Sequence, residues 1–154
     1  MLKIDTNEKI LKKIKQLNEG VGNMLKRINV STRERTQMID ITSKITKIIK
    51  ENNVEKGVCT LFVPHTTAGI TINENADPDV KMDMLKEINK IVPFEDGYAH
   101  LEGNSAAHIK ASLFGFSEQI IIDDSKLLLG TWQGVYLCEF DGGRNRTVYV
   151  KIQS

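Results

Sequence analysis

The chain has no apolar run long enough to cross a membrane as a helix. Its first residues also lack the short apolar core and small-residue cleavage site of a secretory signal. A soluble, cytoplasmic protein with no membrane partner is expected. Cysteine is scarce: Cys59 and Cys138 lie far apart in apolar stretches without a CxxC pair. They read as buried, reduced thiols rather than a disulfide framework. Only three prolines and eleven glycines in 154 residues argue against disorder or low complexity. Charge of one sign is missing as well. A net charge of +1 on interspersed charged residues offers no basic field to nucleic acid. No HExxH spelling and no Ser-His-Asp or Cys-His signal occurs.

What is present suits one core. At this length and 40% hydrophobic content the chain can fold as a single domain without staples. Residues 1–23 read as an N-terminal extension. Ile10, Leu11, Ile14 and Leu17 recur at helical spacing between Asn7 and Glu19, with lysines on the other face. The domain proper runs over 24–154. Ile28 and Val30 alternate as in a half-buried strand, and Asp40-Ile41-Thr42 opens a helix striped by Ile41, Ile45, Ile48 and Ile49. Val58–Val63 reads as a buried strand and Ile70–Ile72 as another. Pro78 sits in the first turn of a helix capped by Asp77 and stopped by Pro93. Asn104 or Ser105 caps a further helix that Gly115 ends. Strands follow at Gln119–Ile122 and Leu127–Leu129. Thr131–Phe140 and Arg146–Ile152 form a long pair, with Asp141-Gly142-Gly143 as its hairpin turn. The fold class expected is α+β, with one large mixed β-sheet and a few helices.

All three histidines fall between positions 65 and 108, each among turn-forming or hydrogen-bonding neighbours. Neutral imidazole is both a common metal ligand and a general base near neutral pH. His65, His100 and His108 are therefore expected to share one site, directly or across a subunit boundary, able to hold a divalent ion such as zinc or magnesium; the alternative is one functional and two structural histidines. His65 follows a strand end, where side chains project into a crevice. Thr66 and Thr67 add hydroxyls, and Gly69 lets backbone amides approach a ligand. Asn73 and Glu74 either reach a ligand or make Asx bonds to their own backbone. Asn104 and His108 form an i, i+4 pair at a helix start, a place suited to anions. Arg144 and Arg146 flank a glycine turn and can grip phosphate, or can be ordinary surface arginines of a hairpin. Asp83, by spacing alone, is a surface acid stabilising its helix dipole. Trp132 and Gln133 can stack on a ring or pack a subunit contact.

Taken in order, His65-Thr66-Thr67-Ala68-Gly69-Ile70-Thr71-Ile72-Asn73-Glu74, Asn104-x-x-Ala107-His108, Leu129-Gly130-Thr131-Trp132-Gln133 and Glu139-Phe140-Asp141-Gly142-x-Arg144-x-Arg146 resemble the YjbQ family, also called UPF0047. The resemblance covers about Met24 to Ile152. Gly143 stands where the family often has proline, and Ser105 where alanine is frequent. The resemblance implies a YjbQ-like α+β fold, a homotrimer, and weak thiamine phosphate synthase activity, in which a pyrimidine pyrophosphate is joined to a thiazole phosphate with release of pyrophosphate. It further implies catalytic roles for His65, His108, Asp83 and Glu74, and binding of a small phosphorylated metabolite by Thr66, Thr67, Asn73, Asn104, Arg144 and Arg146. A metabolite- or metal-binding trimer with a regulatory role is the other class left open.

Overall fold

Alternating aliphatic and polar residues define the strands, and their buried members define two sheets. The computed structural model describes residues 22–154, so the helix expected over Asn7–Glu19 lies outside the described residues. In chain order the elements are β1 (Asn23–Ser31), β2 (Gln37–Asp40), α1 (Thr42–Glu51), β3 (Gly57–Phe62), β4 (Ala68–Glu74), α2 (Pro78–Ile91), α3 (Ser105–Phe114), β5 (Ser117–Asp123), β6 (Lys126–Leu127), β7 (Gln133–Glu139) and β8 (Asn145–Gln153). Strands β1-β8-β3-β5-β6 form one sheet and β2-β7-β4 the other, every pairing antiparallel. The α+β class is borne out, with the strands divided between two sheets instead of gathered in a single one.

The division follows from β7, which is buried on both faces. Its Val135 and Leu137 meet Ile28, Val30, Cys59, Leu61, Val148 and Val150 of the larger sheet in the main core. Tyr136 and Cys138 point the other way, joining Phe140, Ala107 and Ala111 in a second cluster flanked by Met84, Leu85 and Ile88 of α2. The result is a sheet on a sheet with α2 and α3 on the outside. Helix α1 sends Ile45 and Ile49 into the main core, joined by Ile41 at its cap, each fully buried and contributing about 1.5–3 kcal/mol. Its entry is fixed by Asp40, whose Oδ1 accepts from the Thr42 amide at 2.8 Å and the Thr42 hydroxyl at 2.6 Å. Asp77 caps α2 by accepting from Asp79 N at 2.9 Å.

Two turns position the site. Asp141-Gly142-Gly143 is not the hairpin expected, because β7 and β8 belong to different sheets and the turn carries the chain from one to the other. Its glycines are required by the loop before β2. A Cβ on Gly142 would lie 2.1 Å from Glu34 O, and one on Gly143 2.7 Å from Thr32 O. Gly69 also has a packing role in place of the ligand approach expected. A Cβ there would sit 2.8 Å from Gly115 O, so its absence lets β4 lie against the end of α3. Both Cys59 and Cys138 are buried free thiols, in separate clusters. Burial pushes the Cys59 thiol up to about 12 and that of Cys138 upward too.

Candidate functional site

Residues Glu139 and Arg146 lie on the inward faces of β7 and β8, in the alternation that buries Val135, Leu137, Val148 and Val150. Two charges thus close one end of the core between the sheets, Glu139 wholly buried and Arg146 6% exposed. The carboxylate accepts from Arg146 Nε (2.7 Å) and Nη2 (2.6 Å), Thr32 Oγ1 (2.9 Å), Phe140 N (3.0 Å) and Asp141 N (2.9 Å). Burial pushes its pKa upward, but Arg146 and the surrounding donors outweigh burial and hold Glu139 below the usual carboxylate range. Arg146 Nη2 also donates to Thr67 Oγ1 at 2.8 Å. Arg146, expected at a surface turn or on a ligand, lies within this buried pair, and Thr67 is likewise turned inward.

Beside this pair stands His65, in the loop after β3. Strand β8 continues past the end of its pairing with β3 at Phe62 and Tyr149, and there the Thr147 amide donates to His65 Nε2 at 2.9 Å. The imidazole therefore takes the place of a missing strand carbonyl, and Nε2 must be unprotonated to do so. Burial and the Arg146 guanidinium lower the His65 pKa from its ordinary value, against an opposing pull from Glu139. With Nε2 accepting, the neutral ring carries its proton on Nδ1. Thr66 is exposed next to it.

A second group is organised by Asp141. Its carboxylate accepts from Arg144 Nη2 at 2.6 Å and from Asn104 Nδ2 at 3.2 Å, and its carbonyl accepts from Arg144 Nε at 2.6 Å. Asn104 occupies the cap position of α3 but makes no side-chain cap bond, since its amide is turned to Asp141. That orientation leaves Asn104 Oδ1 buried and without a hydrogen-bond donor among the described residues. One turn further along α3, the His108 ring meets His100 edge-to-face, centroids 5.6 Å apart at 83°. His100 Nε2 lies 3.8 Å from Glu102 Oε2. Both rings line an open cavity of about 480 Å³ with Tyr98, Ala99, Ser105 and Ile109. That size lies within the usual range for small-molecule sites.

Within one subunit the three-histidine group expected from the sequence is only partly assembled. His100 and His108 meet, but His65 is engaged with β8, and no three His, Cys, Asp or Glu side chains gather as a metal-holding group among the described residues. Asn73 makes the local bond that was its alternative, Oδ1 accepting from Glu74 N at 2.8 Å. Glu74 is half-buried and its carbonyl accepts from Tyr136 Oη at 2.9 Å. Asp83 lies exposed on α2. Trp132 is exposed, and Gln133 Oε1 closes its own loop by accepting from Gly130 N at 2.8 Å. Sequence reasoning gave Glu139 and Thr32 no part in the site. The available signal was an acidic residue inside the apolar run Val135–Phe140, at the parity of its inward members.

Comparison with known proteins points to the same family. A family model described as UPF0047 protein YjbQ-like matches residues 26–154. The UPF0047 protein YugU of Bacillus subtilis is 50% identical over 130 residues, which cover 84% of this chain and 98% of that protein. A UPF0047 protein of Methanocaldococcus jannaschii is 53% identical over 129 residues, 84% of this chain and 94% of its own. The crystal structure of a YjbQ/UPF0047 family protein from Clostridium acetobutylicum superposes with a TM-score of 0.80 at 55% identity, covering 82% of this chain and 98% of that one. A YbjQ-like protein of Sulfolobus solfataricus gives a TM-score of 0.81 at 30% identity over 85% and 96% of the two chains. The loop after β3 that carries His65, the turn that presents Asp141 and Arg144, and the helix that Asn104 opens and His108 lies on all fall within the YjbQ-like match, and the chain belongs to the YjbQ family, UPF0047.

Proposed function

We propose that the chain binds a small phosphorylated metabolite on the face formed by Asn104, His108 and Arg144, and that it catalyses thiamine phosphate formation at a low rate. The observation that carries the first part is the Asn104 amide. Asp141 fixes its donor end beside Arg144, so one carboxylate brings the arginine to the start of the helix that bears His108. The neighbouring cavity adds the apolar sides of Tyr98 and Ile109 and two imidazole edges, surroundings suited to a heteroaromatic ring. The catalytic part rests on the family resemblance. Joining the thiazole nitrogen to the pyrimidine's methylene carbon breaks a carbon–oxygen bond and sends the electron pair out with pyrophosphate. Such a step needs charge stabilisation more than a covalent nucleophile. His108 and Arg144 stand where they can bind departing phosphate oxygens, and His65 Nδ1 and Thr66 where they can orient a substrate.

A divalent ion would find two of its ligands in His100 and His108; His65 does not join them, because Nε2 accepts from Thr147 N and the neutral ring then carries its proton on Nδ1. One subunit's described residues do not complete such a site, and no step here depends on a metal. Homotrimer assembly belongs to the same proposal. Leu101 and Leu113, 101% and 62% exposed, and the more covered Ile109 lie in the segments around the cavity, apolar surface of the kind a subunit contact covers.

The test is an assay of purified protein with the pyrimidine pyrophosphate and the thiazole phosphate, following thiamine phosphate and pyrophosphate together. Both products should form in equal amounts and fall to background in His108→Ala, with folding unchanged. Product formation no faster than in protein-free buffer refutes catalysis. If calorimetry still detects either substrate binding, a non-enzymatic metabolite-binding role is the one left standing.

A further inference from the structure

Lys110, on the buried side of α3, has no exposed surface, yet its ammonium faces no carboxylate at ion-pair distance among the described residues. It donates to Asn89 Oδ1 of α2 at 2.6 Å and stands 3.5 Å above the centroid of the Phe94 ring. Arg35 places its guanidinium carbon 3.7 Å from the same centroid. Two cations can approach one ring this closely only from opposite faces, so Phe94 is held between them. A buried, unpaired ammonium is expensive, and an apolar residue here would serve the core at least as well. The contacts on either side of the stack give the charge a use.

The Arg35 carbonyl accepts from Gly142 N at 3.1 Å, tying the stack to the turn that carries Asp141 and Arg144. Thr32, in the same loop, accepts from Arg144 N through Oγ1 at 2.8 Å and donates its own amide to Arg144 O at 2.8 Å. Asp141 in turn receives the Asn104 amide at the start of α3. A ring of contacts therefore runs from Lys110 through Phe94, Arg35, Gly142 and Asp141 back to the helix that bears Lys110 and His108.

We propose that Lys110 is a positioning residue of the ligand site: with Arg35 across Phe94, it clamps the 32–36 loop against α3 and so holds the Asp141–Arg144 turn over Asn104. This rests on the reading that Asn104, His108 and Arg144 bind ligand. The clamp depends on the Lys110 charge, because a neutral amine gives up most of the attraction to the ring. The groups facing that charge are Arg35 from the loop before β2, the neutral Asn89 amide of α2, and the Phe94 ring. Burial, reinforced by Arg35, pulls the Lys110 pKa down to about 8, within reach of a mild alkaline titration.

Hydrogen exchange and pyrophosphate binding test the clamp on the full chain. Lys110→Met and Phe94→Leu should each speed amide exchange over residues 32–36 and 141–144 by about tenfold, the scale of a desolvated cation–π contact. Lys110→Arg should restore the slow exchange, which a purely space-filling role would not predict. Calorimetry with inorganic pyrophosphate between pH 6.5 and 9.5 should show a loss of affinity near pH 8 in the parent protein. That step should be missing from Lys110→Met, whose remaining slope reports the titration of pyrophosphate itself. Unchanged exchange in both Lys110→Met and Phe94→Leu overturns the clamp, and Phe94→Leu decides alone if the lysine variant does not fold. Pyrophosphate that fails to bind the parent protein defeats the ligand-site reading, while the exchange result still decides the clamp.

Discussion

Arg146→Met tests how far the buried ion pair governs the molecule. Glu139 is fully buried and receives five donors, two of them from Arg146. Methionine would fill much of the same volume but leave the carboxylate with three neutral donors and no countercharge. Two lost charge-assisted bonds at about 1.5–3 kcal/mol each agree with the roughly 3–5 kcal/mol seen when one partner of a buried pair is removed. For a domain of this size that is a fall in Tm of about 6–20 °C. The pH dependence should change sign as well. In the parent protein Glu139 is held below its ordinary value, so its stabilisation is present above about pH 4.3 and is lost as pH falls through the lower native value. Without Arg146, burial raises Glu139 above its unfolded value, and stability should then fall as pH rises past about 4.3. Urea melts from pH 3.5 to 7.5 would read both effects. Pairing the change with Glu139→Gln should recover part of the loss, because a neutral pair needs no countercharge. A variant within about 1 kcal/mol of the parent at pH 7, or one with the same slope against pH, would refute the reasoning.

Three further outcomes follow from the site. His65 should titrate below about pH 6.5 by NMR, because burial and Arg146 disfavour its charge, and the parent protein should lose stability as pH drops from there through the native value; a midpoint at or above 6.5 would contradict the neutral ring bonded to Thr147. Arg144→Ala should weaken a phosphate-bearing ligand by about 1.5–3 kcal/mol, one charge-assisted bond, with stability kept; unchanged affinity would leave Arg144 as a partner of Asp141 alone. A chain shortened to begin at Met24 removes from the described domain the Asn23–Gln153 end of the β1–β8 ladder and the Gly22 carbonyl that accepts from Ser154, so it should keep the proposed ligand binding and trimer formation with a lower Tm, and loss of binding in a folded trimer would assign the leader to the site.

The extent to which the site was legible in the sequence depended on the distance over which each residue's partners act. Asp40, Asp77 and Gly115 were readable because a helix end is settled by neighbours a few residues away. The isoleucine stripe of α1 was readable because one face of a helix repeats at a fixed spacing. Asn104 and His108 share an α3 face for the same reason. The turn at Asp141-Gly142-Gly143 has the local chemistry of a hairpin, but its course is set by Thr32 and Glu34, more than a hundred residues earlier in the chain. No window of sequence contains that contact. The burial of Arg146 is hidden from the sequence on the same ground, since an arginine after a glycine turn looks exposed until the parity of β8 is matched with that of β7. Once both parities are set side by side, Glu139 and Arg146 face each other across the sheets. The pair then anchors the His65 loop through Thr67 and the Arg144 turn through the Asp141 amide. The two halves of the candidate site are thereby coupled through a single buried salt bridge. A lesion there should disturb His65 and Arg144 together, whereas a change at either residue alone should leave the other in place.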